Sequence, residues 1–167
     1  LTKLDALGRG TETIAPTGAS FKTEFDPVGR QKKTVDALGN EQQFVYNNRG
    51  QLWKTIDALG GVTEYQYDTA GRTTRIIDAN GGEASYTYDN EGRVLTETTP
   101  TRKVTSFTYD FDGRLATKTD GNGVTVQFEY YPTGGLKKRT YPDGSFVEFR
   151  YDNRGNKIYE ANADVTI

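Results

Sequence analysis

The residue types that most often carry chemistry are either missing from this chain or tied to a pattern. Its 167 residues include no histidine and no cysteine. Without histidine there is no usual general base, no usual proton shuttle and no Ser/His/Asp set. Without cysteine there are no disulfides and none of the commonest structural zinc sites. No glycine-rich loop that could cradle phosphate precedes a helical segment. What remains are carboxylates, guanidinium groups and aromatic rings. Asp26, Asp68, Asp89, Asp110 and Asp152 recur in one column, Arg30, Arg72, Arg93 and Arg114 in another. "DGNG" at 120–123 and "DFDG" at 110–113 resemble the start of a calcium loop. A calcium loop needs about six oxygen ligands and usually a distal Glu, and neither stretch supplies them. Turn chemistry accounts for the aspartates instead, because Asp bonds its own backbone two residues on. Arginines four residues beyond such aspartates are expected to pair with the carboxylate of a turn or to solvate an edge. No catalytic residue, metal ligand or cofactor is assigned. Trp53 is the one tryptophan. In simple alternation it lies on the opposite parity of its strand from the other aromatics, which makes it the candidate outer-face ligand contact.

The elements that carry these residues repeat. From Tyr67, steps of 21 land on Leu4, Phe25, Tyr46, Tyr88, Tyr109, Tyr130 and Tyr151. Four residues later stand Gly8, Gly29, Gly50, Gly71, Gly92, Gly113, Gly134 and Gly155. A second column follows ten residues on: Gly18, Gly39, Gly60, Gly81, Gly123 and Gly144, with Arg102 as the departure. An unbroken fixed step is the signature of a repeat architecture. Each repeat therefore has two turns, the first of form Asp-x-x-Gly after an aromatic, the second such as "DALG" (36–39, 57–60) or "DANG" (78–81).

Between the turns the pattern has period two. Thr63, Tyr65 and Tyr67 oppose Glu64 and Gln66, and Val147, Phe149 and Tyr151 oppose Glu148 and Arg150. That alternation predicts half-buried strands. The strand after the first turn is more polar, with Leu52, Val94, Leu115 and Leu136 as its regular apolar column. No segment between turns is long enough for a stable helix. The fold class is all-β: tandem 21-residue hairpins forming one antiparallel sheet over residues 1–167, which coils because a sheet of roughly 15 strands seldom stays open. Only 34% of residues are hydrophobic, below the usual share, which suits a wall better than a packed globule. Phe128 and Phe149 are expected to be largely buried, Glu129 and Arg150 exposed. Gly71, Gly92 and Gly113 are expected at positive φ. The turn at 131–135, where Tyr131 and Gly135 replace Asp and Arg, and the region of Thr99, Pro100 and Arg102 are expected to deviate.

The motif resembles the YD repeats of the Rhs family. Tyr67-Asp68-Thr69-Ala70-Gly71-Arg72 and Tyr88-Asp89-Asn90-Glu91-Gly92-Arg93 match in full, as do Tyr109, Asp110, Gly113 and Arg114 in the next copy. Phe25 to Arg30 differs by Phe for Tyr, and the copies at Leu4, Tyr46 and Tyr151 are weaker. The resemblance implies a hollow β-shell enclosing a C-terminal toxin domain, as in bacterial Rhs and Tc-type toxins, with related shells in teneurins. It implies a secreted or cell-surface setting, partners in further shell repeats and an enclosed toxin, and no enzymatic activity. "DPVG" at 26–29 is similar to the family's aspartyl self-cleavage segment but falls in register as a repeat turn. The alternatives are a carbohydrate- or cell-wall-binding repeat module and teneurin-like adhesion. With 21 basic and 23 acidic residues and a net charge of −2, nothing points to nucleic acid. No apolar run is long enough for a membrane helix. The chain opens on Leu1 and is taken as a piece of a longer protein, whose terminal strands, near residues 1–13 and 157–167, invite self-association.

Overall fold

The computed structural model describes residues 1–163. Two units divide it, Leu1–Glu83 and the residues from Ala84 on. The first carries β1 (Thr2–Leu4), β2 (Gly10–Ile14), β3 (Ser20–Phe25), β4 (Gln31–Val35), β5 (Glu41–Tyr46), β6 (Leu52–Ile56), β7 (Val62–Tyr67) and β8 (Thr73–Ile77). The second carries β9 (Glu83–Tyr88), β10 (Val94–Thr98), β11 (Val104–Tyr109), β12 (Leu115–Thr119), β13 (Thr125–Tyr130), β14 (Leu136–Thr140), β15 (Phe146–Tyr151) and β16 (Lys157–Ala163). Within each unit every strand pairs antiparallel with the next in sequence, as the hairpin reading expects.

All the hairpin turns share one backbone. In the turn at 110–114, Gly113 N–H donates to Asp110 C=O at 3.0 Å, and Asp110 N–H donates to Arg114 C=O at 2.8 Å. This is a β-turn followed by a left-handed residue, the usual three-residue hairpin loop with a glycine bulge. The glycines sit at φ near 80–90°, including Gly71 at 87°, Gly92 at 88° and Gly113 at 81°, as expected. Both turns expected to deviate keep this backbone. Tyr131 N–H reaches Gly135 C=O and Gly134 N–H reaches Tyr131 C=O, each at 2.8 Å. Arg102 N–H reaches Thr99 C=O at 2.8 Å, with Arg102 itself at φ 60°. The closure depends on strand register and on one left-handed residue. The Asp side chain decorates the turn without determining it.

A second bulge follows each first turn. Val45 faces Lys54 and Tyr46 faces Leu52, so Trp53 has no residue opposite it on β5. The same shift leaves Ala116 unopposed on β12. A one-residue slip inverts the relation between sequence parity and sheet face. The parity expectation for Trp53 therefore does not hold across the bulge. The same register sets Leu52, Val94, Leu115 and Leu136 opposite Tyr46, Tyr88, Tyr109 and Tyr130.

Burial is shallow. Among the described residues only Val147 and Phe149 are buried, at 6% and 8% exposure. Glu129 and Arg150 are exposed, as expected, but Phe128 is only half-buried. Its cross-strand partner on β14 is Arg139, a long stem rather than an apolar side chain. Phe149 also faces a charged residue, Glu160, but it lies between β14 and the long β16, which pairs with β15 over six residue pairs against four between β13 and β14. Several turn tips are apolar and open, notably Leu38 at 88% and Leu59 at 97%. No helix is long and apolar enough to cross a membrane.

Candidate functional site

Six of the first turns are built around one carboxylate, the exceptions being those at Asn47 and Tyr131. Asp26 Oδ1 accepts the N–H groups of Val28 at 3.0 Å and Arg30 at 2.9 Å. Its Oδ2 accepts Arg30 Nε at 2.7 Å. The guanidinium then reaches into the next repeat, where its carbon lies 4.3 Å from the centre of the Tyr46 ring. The Tyr46 hydroxyl turns back and donates to the Gln31 carbonyl at 2.8 Å. Carboxylate, guanidinium, ring and hydroxyl thus form a clamp from one repeat to the next.

The clamp recurs. Arg93 is held by Asp89 and covers Tyr109 at 4.8 Å, and Tyr109 donates to the Val94 carbonyl at 2.8 Å. Arg114 is held by Asp110 and covers Tyr130 at 5.0 Å, and Tyr130 donates to the Leu115 carbonyl at 3.0 Å. Arg9 is held by Asp5 and covers Phe25 at 4.5 Å. Asp68 holds Arg72 through the same pair of bonds, at 2.9 and 2.6 Å, and Tyr67 donates to the Leu52 carbonyl at 2.6 Å. Gly71 and the other turn glycines supply the left-handed residue that brings Asp and Arg together. Sequence reasoning singled out these residues as turn formers and missed the contact between repeats. The available signal was a constant spacing of 16 residues from each arginine to the aromatic it covers.

The bonds that build the turns also hold the carboxylates ionised. The backbone N–H of Arg72 is the main cause that keeps the Asp68 carboxyl below its ordinary value, its guanidinium adding to it. For Asp152 the side-chain amide of Asn156 is the main cause, and for Asp5 the guanidinium of Arg9. At Asp89 and Asp110 burial is the largest single influence and pushes upward, but the combined bonds from Arg93 and Arg114 outweigh it. A carboxyl depressed in the folded state stabilises above its unfolded pKa, and that stability is lost as the pH falls through the folded value. With no histidine, nothing comparable titrates at neutral pH. Urea midpoints should therefore be level from about pH 8 to about pH 5 and fall steadily below about pH 4. A midpoint that rises on acidification would contradict the carboxylate clamp.

Three repeats lack the arginine, at Gln51, Gly135 and Asn156, the last holding Asp152 through its side-chain amide. At Gln51 the place is taken by an amide that accepts from Asn47 at 2.9 Å. Beside it lies an open cleft of about 650 Å³ lined by Asn47, Asn48, Trp53, Tyr65 and Tyr67 among others. Trp53 is 43% exposed there, with Lys54 Nζ 4.3 Å from its ring. At Gly135 a second cleft, of about 820 Å³, is lined by Tyr131, Thr133, Arg150, Tyr151, Asp152 and Asn153. Among the described residues no group of three or more acidic, His or Cys side chains is placed to hold a metal ion.

Comparison with known proteins agrees with this geometry. The teneurin YD-shell model matches residues 66–159, more than half of the chain, and the RHS repeat model matches residues 46–83. No curated protein matches. A crystal structure of TcdB2–TccC3 aligns over 100% of this chain with a TM-score of 0.58 and 17% identity. The Photorhabdus luminescens Tc holotoxin pore aligns over 100% with a TM-score of 0.53 and 18% identity. TcdB2–TccC3–TEV aligns over 95% with a TM-score of 0.53 and 17% identity. In each case the chain spans 12% of the other chain's length. At such identities the likeness concerns the fold. The chain belongs to the teneurin YD-shell family, as an array of YD hairpins joined at several repeats by the same clamp.

Proposed function

We propose that this chain is a section of shell wall that encloses a C-terminal toxin domain in an Rhs-type polymorphic toxin. The observation that carries this reading is the clamp. Where the clamp is complete, a repeat spends its carboxylate and guanidinium on the aromatic ring of its neighbour, which supports a wall-building task for those groups over a catalytic one. Shallow burial and the repeat-family match support a structural segment over a catalytic one. The solved likenesses are parts of Tc toxin assemblies, which supports a secreted, delivered protein. Coverage of 12% of those chains supports residues 1–167 as a single array within a longer shell, with the remaining repeats and the enclosed domain as partners. Limited proteolysis of the parent protein tests this. The toxin-bearing segment should resist cleavage until denaturant opens the wall. Cleavage of that segment at the rate of a free domain, with the repeats still folded, would refute enclosure.

The 167-residue chain alone should associate with itself. β1 is bonded to β2, all three of its residues are exposed, and an open strand edge templates pairing. Residues 164–167 of the other terminal segment lie outside the described residues. Light scattering over a dilution series should show mass rising with concentration, and a constant monomer mass would refute the edge argument.

A further inference from the structure

Four clamps in this chain show a guanidinium lying on the face of the next repeat's aromatic ring. Tyr151, like Tyr67 beyond Gln51, is a ring for which that guanidinium is absent, here because Gly135 stands where the motif has arginine. The acid that would hold it is gone too, since Tyr131 replaces the motif aspartate. The turn backbone is unchanged, so the two replacements alter the surface and not the fold. Tyr131 meets Tyr151 edge to face, with ring centres 6.4 Å apart, and donates its hydroxyl to the Phe149 carbonyl at 3.1 Å. A side chain at Gly135 would rise against Tyr151, whose ring carbons lie 3.2 and 3.3 Å from where its Cβ would stand. The cleft of about 820 Å³ therefore occupies the place of the missing clamp, a volume typical of small-molecule sites.

Its chemistry is specific. Removing an acid and a base together leaves a site without the built-in ion pair and with one aromatic ring added. Hydrogen-bonding capacity remains unused around it. The Tyr151 hydroxyl makes no counterpart of the bond that Tyr130 makes to the Leu115 carbonyl. The Thr133 hydroxyl and the Asn153 side-chain amide have no partner among the described residues. Asp152 is committed to its own turn, accepting from Arg154 and Asn156, and the guanidinium of Arg150, also on the lining, lies over the Tyr159 ring at 4.6 Å. An aromatic face edged by uncommitted hydroxyl and amide groups suits a neutral ring that is apolar on its face and polar at its rim. A pyranose has that form. Its axial C–H groups pack on the π face and its equatorial hydroxyls meet the rim. We propose that the Tyr131–Tyr151 cleft is a binding site for a neutral sugar ring. This stands apart from the shell reading, since a wall can carry such a site or lack one.

The test uses methyl β-D-glucopyranoside, methyl β-D-galactopyranoside and N-acetylglucosamine as probes, read by saturation-transfer NMR and by amide shifts. A single-ring contact should bind in the millimolar range, and shifts should centre on residues 131–155. Tyr131→Asp with Gly135→Arg rebuilds the motif and fills the cleft with a clamp. That double variant should weaken sugar binding at least about tenfold, one factor of ten being 1.4 kcal/mol, while its thermal midpoint does not fall. Tyr151→Ala should weaken binding as much, and the preserved fold of the double variant keeps the result interpretable. No saturation transfer from any of the three sugars at about 100 mM, far above the expected range, overturns the proposal. So does unchanged binding in the double variant. Binding that survives there and disappears in Trp53→Ala also overturns it and assigns the contact to the Trp53 cleft. If N-acetyltryptophanamide shifts residues 131–155 and the sugars do not, the ligand class is wrong.

Discussion

Phe149→Ala should cost about 3 kcal/mol of unfolding free energy, and Phe128→Ala no more than about half of that. The two residues occupy the same column of the repeat and match in every sequence criterion. Their surroundings differ. Phe149 is 8% exposed beside the equally buried Val147, and β16 runs alongside it for six residue pairs. Phe128 is half-buried opposite Arg139, so truncation there exposes a flexible stem to water and leaves little cavity. The figure for Phe149 is placed at the low end of the range for core aromatics because no side chain in the described sheet is fully buried. Phe149→Leu should cost less than about 1.5 kcal/mol. The Tyr131 hydroxyl bonds the backbone carbonyl of residue 149 and is present in all these variants, so the difference reports side-chain packing. Urea denaturation followed by tyrosine fluorescence gives both values. Equal losses at the two positions would mean that the sheet has an ordinary continuous core.

That contrast marks how far the sequence could be read. The period of 21, the strands and the left-handed glycines follow from local rules, because Gly at a turn and alternation in a strand each carry their own physical cause. Burial of Phe149 was expected and is found; the shallower burial of Phe128 does not follow, because it depends on how far a neighbouring strand extends. The face that Trp53 presents does not follow from alternation for a related reason. Alternation gives a face only while the register is regular, and the bulge at Leu52–Lys54 has no composition of its own. The turns at 99–103 and 131–135 were expected to deform because their side chains broke the motif. They kept their shape because two backbone bonds and one left-handed residue suffice. The clamp was hidden in plain columns. Asp, Arg and Tyr each had a local explanation, and only a comparison of columns 16 residues apart, such as Arg30 with Tyr46, joins them.

Substitutions at one backbone position, in two different turns, should have opposite signs. Gly113 has φ 81°, where an L side chain costs about 1–2 kcal/mol. A Cβ there would also stand 3.1 Å from Arg93 Nη1, the guanidinium that covers Tyr109. Gly113→Ala restricts the unfolded chain, which returns about 0.4–1 kcal/mol. The net expectation is a loss of about 1 kcal/mol, larger if the Arg93 clamp is displaced. Arg102 sits at φ 60° in the equivalent place of a second-column turn, with the same closing bonds through Thr99. It already bears the strain that Gly113→Ala would introduce. Arg102→Gly should therefore raise stability by up to about 1 kcal/mol, the relief being partly offset by a freer unfolded chain. Arg102→Asn should recover much of that gain, because Asn tolerates the left-handed region without adding glycine's entropy. Thermal and urea midpoints of the three variants decide the matter. A loss in Arg102→Gly would show that the Arg102 side chain does something the turn geometry does not account for. A gain would locate the one turn among the described residues that departs from the glycine rule and carries a standing energetic cost for it.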